Sequence, residues 1–245
     1  MIIGSEYIFF ENLPSTNNYA SVLLRNQFIQ EGTIIHTKFQ TAGKGVAGNR
    51  WESESGKNLL FSIILYPVMI KPEDQFIISK AVSLGILDYL RQYTAKVSIK
   101  WPNDIYVNDD KIAGILIETT ILGSVMESAI AGIGLNINQK VFLSDAPNPV
   151  SLSNLTKQEY DLEEALINLV YHLNRRYNQL FEGHLDVVEK DYQDSLYRAG
   201  VYSQFRDSDG TFRGKIDCVN SSGLLSIIDE NGKYRYYNYK EVIFL

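Results

Sequence analysis

The sequence predicts an α+β protein, a mixed β-sheet flanked by helices and followed by a small all-β module. Three observations carry that prediction. Over residues 1–199, strand-like stretches alternate with stretches of helical spacing. Beyond Gly200, the pairs Asp209-Gly210, Ser222-Gly223 and Asn231-Gly232 punctuate short β-prone runs at hairpin intervals, as in a small barrel. With 45% hydrophobic and 12% aromatic residues, a chain of 245 residues can bury one large domain and a small one. The boundary falls between 199 and 200, and residues 200–245 are too few to be very stable unless docked.

The elements follow in order. Ile2 to Phe10 reads as a strand, and Ser15-Thr16-Asn17 supplies N-cap chemistry for a helix through Tyr19, Val22 and Leu23. Thr33 to Phe39 is β-branched and strand-like, and the apolar run Asn58 to Tyr66 has the length of a buried strand. Pro72 opens a helix reaching about Tyr93. Val97 to Lys100 is a strand, and Ile105-Tyr106-Val107, a polar turn and Lys111 to Thr119 form a hairpin. Ser128 to Asn138 is a further strand. Thr156 and Glu159 fit a capping box ahead of a helix marked by Leu162, Leu166, Leu169, Leu173, Tyr177 and Leu180, and a second helix runs from about Leu185 to Arg198.

Composition excludes several classes. The lone Cys218 forbids an internal disulfide and a cysteine zinc site, and His36, His172 and His184 lack ligand spacing. A net charge of −6 argues against broad nucleic-acid binding, though not against a small anion held locally. The N-terminal stretch lacks a basic n-region, and no apolar run reaches membrane-span length, so the expected setting is the cytoplasm, with no membrane partner.

Two segments carry chemistry. The first is Gln40-Thr41-Ala42-Gly43-Lys44-Gly45-Val46-Ala47-Gly48-Asn49-Arg50-Trp51. Its glycines let backbone N–H groups turn toward an anion, while Lys44 and Arg50 supply charge and Trp51 a stacking surface. It is not a P-loop, because Gly45 follows Lys44, and no helix follows to make Gly43, Gly45 and Gly48 a dinucleotide fingerprint. On its own it also reads as a surface loop. The second is Lys100-Trp101-Pro102-Asn103-Asp104 with Lys111-Ile112-Ala113-Gly114-Ile115. Pro102 restricts Trp101 to an extended or turn conformation. Asn103-Asp104 reads either as an Asx-turn or as a group for phosphate and hydrated Mg2+.

Taken with Ser15-Thr16-Asn17 and Gly132-Ile-Gly-Leu-Asn136, these blocks resemble the biotin protein ligase family in order and spacing. The resemblance covers the catalytic domain, and the C-terminal module agrees with that family's SH3-like barrel. It implies the biotin/lipoate ligase catalytic fold, akin to class II aminoacyl-tRNA synthetases. It also implies a two-step reaction. ATP activates biotin as biotinyl-5′-AMP with Mg2+, and a lysine of a biotin carboxyl carrier domain then takes the biotinyl group. On this resemblance, Ser15, Thr16, Asn17, Gln40, Gly43, Lys44, Gly45, Val46, Lys111, Gly114 and Gly134 line the biotin pocket. Lys111 and Lys44 are the catalytic cations. Asn49, Arg50, Trp51, Asn103, Asp104 and Asn136 face ATP, with Asp104 toward the metal.

The loop departs from the arginine-rich form of the family. Lys44 keeps the charge but cannot make a bidentate contact, and Val46, Ala47 and Asn49 stand where basic residues occur. The expectation is a loop that closes through backbone contacts and Lys44 and holds the adenylate less tightly. Because the Ser-Thr-Asn block begins at residue 15, the expected form is monofunctional, without a DNA-binding domain and without DNA as partner. A homodimer through sheet edges is compatible with the resemblance. The alternatives are a lipoate or octanoate ligase, which uses a different glycine signature, and a non-catalytic biotin sensor, which would not need Asn103, Asp104 and Lys111.

Overall fold

The computed structural model describes residues 2–143 and 147–245. Strands β1 (Tyr7–Leu13), β2 (Ile34–Gln40), β3 (Leu59–Leu65), β4 (Val97–Lys100), β5 (Asp104–Val107), β6 (Asp110–Leu122) and β7 (Val125–Leu135) form a seven-stranded sheet. Its order is β1-β2-β3-β7-β6-β5-β4, parallel only between β1 and β2. Strand parity divides its side chains between two faces. Ile34, Phe61, Ile63, Ala131 and Ile133 belong to the large core under α2 (Phe76–Leu90) and α4 (Leu162–Phe181). On the opposite face Ile35, Ile64 and Ile130 pack with Ala20 of α1 (Thr16–Asn26).

α1 starts where the sequence places it, with Ser15 as N-cap accepting from Asn18 N. Several boundaries differ, each for a local reason. β1 begins at Tyr7 rather than Ile2, because the N–H groups of Ile2 and Ile3 both donate to Asn174 Oδ1 on α4. Pro72 opens a 3-10 turn, Pro72–Asp74, and the α-helix begins at Phe76. The expected capping box is a correction. Thr156 is the last residue of the short helix α3 (Leu152–Thr156), and Asp161 caps α4 by accepting from the N–H groups of Glu163 and Glu164. Helix α5 (Leu185–Asp194) stops short of Arg198, because the chain turns to pair with β4 through Ile99 N–H to Ser195 O and Tyr197 N–H to Ile99 O. β7 starts at Val125, since β6 extends to Leu122 to meet it.

The C-terminal strands β8 (Ser203–Asp207), β9 (Gly210–Val219), β10 (Leu225–Asp229), β11 (Tyr234–Tyr237) and β12 (Ile243–Phe244) form an antiparallel sheet in the order β11-β10-β9-β8-β12, as in an SH3-like module. All three hairpin dipeptides lie at or beside its turns. This sheet does not stand alone. Phe205, Ile216, Val219, Leu225 and Ile227 join the core that contains α2 and α4, which answers the expectation that so small a module must dock. Among the described residues no helix is long and apolar enough to cross a membrane.

Candidate active site

α1 covers only part of its sheet face, and beyond its N-terminus lies a cavity of about 690 Å³. The floor is made by residues that share one parity. Gly132 and Gly134 of β7 lie opposite Leu116 and Gly114 of β6, and Ser62 of β3 flanks Gly132. The glycines are required by what lies above them. A Cβ at Gly132 would overlap the Asn17 carboxamide, and one at Gly134 the Trp51 indole.

One wall is a hydrogen-bonded relay of uncharged side chains that ends on the Glu118 carboxylate outside the cavity lining. Asn17 Nδ2 donates to Glu118 Oε2 at 2.8 Å and to the Leu116 carbonyl at 3.2 Å, so Asn17 Oδ1 is left as an acceptor. The Ser62 hydroxyl lies 2.6 Å from that oxygen and 2.7 Å from Thr16 Oγ1. One proton cannot serve both. Because Asn17 Oδ1 can only accept, Ser62 donates there and takes the Thr16 hydroxyl as its own donor. Thr16 N–H in turn donates to Gln40 Oε1 at 2.8 Å. Ser15, Thr16 and Asn17 are buried, so this wall is set before any ligand arrives.

The glycine-rich segment forms a short hairpin beside this wall. Gly45 N–H donates to Asn49 O, Trp51 N–H to Gly43 O, and Lys44 pairs with Arg50 across an antiparallel bridge. A 3-10 turn at Val46–Gly48 closes the tip, where Gly48 has a φ of +86°. Lys44 Nζ donates to Asn18 Oδ1 at 2.6 Å, tying the loop to α1. The hairpin delivers Trp51 onto Gly114 and Gly134, with its indole N–H buried and lacking an acceptor among the described residues.

The cavity is also cationic. Lys44, Arg50, Lys100, Lys111 and Lys240 line it, five cations against one carboxylate among the described residues, Asp104. A chain of net charge −6 has gathered positive charge here. Lys111 Nζ lies 2.7 Å from Asp104 Oδ1 and 5.6 Å from the Trp51 ring centre. Burial pushes the Asp104 carboxyl up, and the neighbouring Lys111, then Lys100, oppose that shift. Lys100 Nζ donates to Tyr106 Oη at 3.0 Å and lies over the Tyr106, Tyr197 and Phe244 rings. Burial lowers its pKa, and Asp104 counters. Asn103 donates from Nδ2 to the Ile115 carbonyl, and the Trp101–Pro102 bond is cis.

Of the residues singled out in the sequence, Ser15, Thr16, Asn17, Gln40, Lys44, Gly45, Val46, Asn49, Arg50, Trp51, Asn103, Asp104, Lys111, Gly114 and Gly134 meet at this one cavity. Gly43 and Asn136 do not line it. Gly43 is buried behind Trp51, and buried Asn136 donates to the Val150 carbonyl, fastening the chain after β7 to residues near 150. Sequence reasoning missed Ser62, although it is the one polar residue in Leu59–Leu65. It also missed Asn18 and gave no role to Glu118, Gly132 or Lys100, although Gly132 and Lys100 stand in the blocks quoted above. Nothing local announced the lip formed by Tyr239, Lys240, Val242 and Phe244, which reaches the cavity only because the second sheet docks.

The comparisons with known proteins agree with this geometry. The model of the Biotin/lipoate A/B protein ligase family matches residues 9–136. The chain is 28% identical over 245 residues to the bifunctional ligase/repressor BirA of Bacillus subtilis, an alignment covering 97% of this chain and 74% of that protein. It is 34% identical over 158 residues to BirA of Escherichia coli, covering 64% of this chain and 46% of that protein. Among solved structures, a biotin protein ligase from Aquifex aeolicus in complex with biotin and ATP superposes with a TM-score of 0.80 at 23% identity, covering 98% of this chain and 99% of that one. At that identity the likeness is one of fold.

Proposed function

Because the chain belongs to the biotin/lipoate A/B protein ligase family, we propose that it is an ATP-dependent biotin protein ligase. It converts biotin to biotinyl-5′-AMP and passes the biotinyl group to a lysine of a carrier domain of a biotin-dependent carboxylase, in the cytoplasm. Residues 1–199 hold biotin and ATP, and residues 200–245 complete the nucleotide side. One observation supports this reading above the others: uncharged polar side chains and five cations line the same cavity. The uncharged side chains suit a ureido head group, which needs directed donors and acceptors rather than charge. The cations suit a triphosphate.

In the first step a carboxylate oxygen of biotin attacks the α-phosphorus, and the bond to the departing pyrophosphate breaks. Two anions must approach each other, so the chain has to supply positive charge where they meet. Lys111 is the cation closest to that junction, and Asp104 fixes its position at 2.7 Å. Lys44 and Arg50 hold phosphate oxygens from the hairpin side. The indole N–H of Trp51 is a donor kept for the ligand. In the second step the acceptor amine attacks the acyl carbon and AMP leaves. Covering the mixed anhydride with residues 43–51 keeps water from competing.

Among the described residues Asp104 is the only carboxylate lining the cavity, and no group of three acidic, histidine or cysteine ligands occurs. That donor set fits Mg2+ carried in by ATP, which takes one or two carboxylates and completes its shell with phosphate and water. Such an ion neutralises phosphate charge when bound. ATP–pyrophosphate exchange with biotin, lipoate or octanoate as the acid, with and without Mg2+, tests the reading. Exchange only with biotin and only with metal is expected. Exchange with lipoate or octanoate instead would overturn the assignment of the pocket, and biotin binding without exchange would leave a sensor.

A further inference from the structure

α2 is buried along nearly its whole length, and its one basic residue, Lys80, is fully buried as well. Burying an ammonium costs several kcal/mol unless every proton is met, and an apolar residue of similar size would often hold the core as well. Lys80 has all three met. Its Nζ donates to Glu189 Oε2 on α5 at 2.5 Å and to the carbonyls of Val219 and Asn220 at 2.8 and 3.2 Å. The Phe76 and Tyr192 rings flank it at 5.7 and 5.4 Å. Two of the three acceptors therefore lie where β9 ends and the turn to β10 begins.

That turn is held at a second point. Asn220 Oδ1 accepts from the N–H groups of Ser222 and Leu224, and Gly223, with a φ of +89°, lies so close to the Phe76 ring that a Cβ would collide with it. The Gly223 carbonyl accepts from Trp101 Nε1 at 2.9 Å. Trp101 lines the cavity and is followed directly by Pro102, Asn103 and Asp104. From the same second sheet, Tyr239, Lys240, Val242, Ile243 and Phe244 also line the cavity, and the Phe244 ring centre lies 5.6 Å from Nζ of Lys100, the residue before Trp101.

We infer that Lys80 is a positioning residue for the nucleotide half of the site. It fixes the β9–β10 turn against α2, and the turn fixes Trp101 and the carboxylate three residues beyond it. Among the described residues, the wall of Thr16, Asn17, Gln40 and Ser62 has no hydrogen bond to this chain of contacts. Lys80 thus acts on ATP and not on biotin. The inference rests on the ligase reading, so wild-type exchange with biotin is measured first, and its absence would count against that reading rather than against Lys80.

The test compares Lys80→Met, Glu189→Gln, Trp101→Phe and the Lys80→Met/Trp101→Phe pair in ATP–pyrophosphate exchange, with biotin affinity measured directly by calorimetry. Lys80→Met should raise KM for ATP by roughly tenfold with Kd for biotin unchanged, and Glu189→Gln should do the same more weakly. The double variant should be no worse than the poorer single one, because both changes cut the same linkage. If Lys80→Met does not fold, Glu189→Gln decides, since Glu189 is partly exposed and the substitution is isosteric. Unchanged KM for ATP in a folded variant, equal losses for ATP and biotin, or strictly additive effects would each overturn the inference.

Discussion

Replacing Ser62 by alanine removes one oxygen from a fully buried position behind the cavity wall, where it supports the lining residues Thr16 and Asn17. Its hydroxyl is the donor that satisfies Asn17 Oδ1 and the acceptor that orients the Thr16 hydroxyl. Without it, Asn17 keeps an acceptor in a buried site with no donor, which costs about 1–3 kcal/mol. In a protein of this size each kcal/mol lowers Tm by roughly 2–4 °C, so a fall of about 2–12 °C is expected. The second consequence is at the ligand. Thr16 and Asn17 are no longer held in one proton arrangement, and losing about 1 kcal/mol of orientation weakens biotin binding roughly fivefold. Thermal melts followed by circular dichroism and titration calorimetry with biotin read the two effects. Ser83 is the control, a fully buried hydroxyl whose oxygen has no partner among the described residues. Ser83→Ala should leave both quantities nearly unchanged. A Ser62→Ala protein within about 0.5 kcal/mol of wild type, with unaltered biotin affinity, would refute the relay.

Three other expectations concern the cationic side, the loop and the second sheet. Lys111→Met should slow pyrophosphate exchange by about 10²–10³-fold while biotin still binds, and retention of full exchange would remove Lys111 from the chemistry. Val46→Arg should slow release of biotinyl-5′-AMP, measured by chasing labelled adenylate from the purified complex, and an equal or faster release would contradict the loosely held adenylate. Asp207 is held below the usual carboxylate range first by the Tyr237 hydroxyl and also by Arg235, and Asp229 first by the Lys233 N–H and also by Arg235. Groups depressed in the folded state stabilise it above their ordinary pKa and lose that contribution as pH falls through the folded value. Arg235→Met should therefore cost more stability at neutral pH than at a pH below the depressed folded-state values of these carboxyls, where both are protonated. Equal destabilisation across urea melts at the two pH values would rule this out.

The fold was legible where sequence signals are local. Ser15 acts as the cap its residue type suggests, and the hairpin dipeptides lie at or beside the turns of the second sheet. Local signals misled where a distant group competed. Thr156 and Glu159 match a capping box, but Ser151 had already started a helix that Thr156 ends, and Asp161 serves the next one. Ile2 and Ile3 look like a strand until Asn174 claims their N–H groups. The site divides in the same way. Its glycine-rich hairpin and the Trp101–Asp104 segment are each contiguous and could be read directly. Ser62, Glu118 and the 239–244 lip become neighbours of those segments only through strand register and docking, which no single stretch of sequence encodes.

The seating of Trp51 on a glycine floor also has an optical consequence. The chain contains two tryptophans, Trp51 and Trp101, and both line the cavity. One has a buried indole N–H awaiting an acceptor, while the other already donates to Gly223. Indole emission follows the polarity and hydrogen bonding around the ring, so the intrinsic fluorescence of this protein originates at the place where its ligands arrive. Trp101→Phe leaves a reporter of the glycine floor alone and Trp51→Phe a reporter of the junction with the second sheet. On the proposed assignment of the cavity, the unlabelled protein can therefore be followed at two points of its lining as biotin or ATP is added.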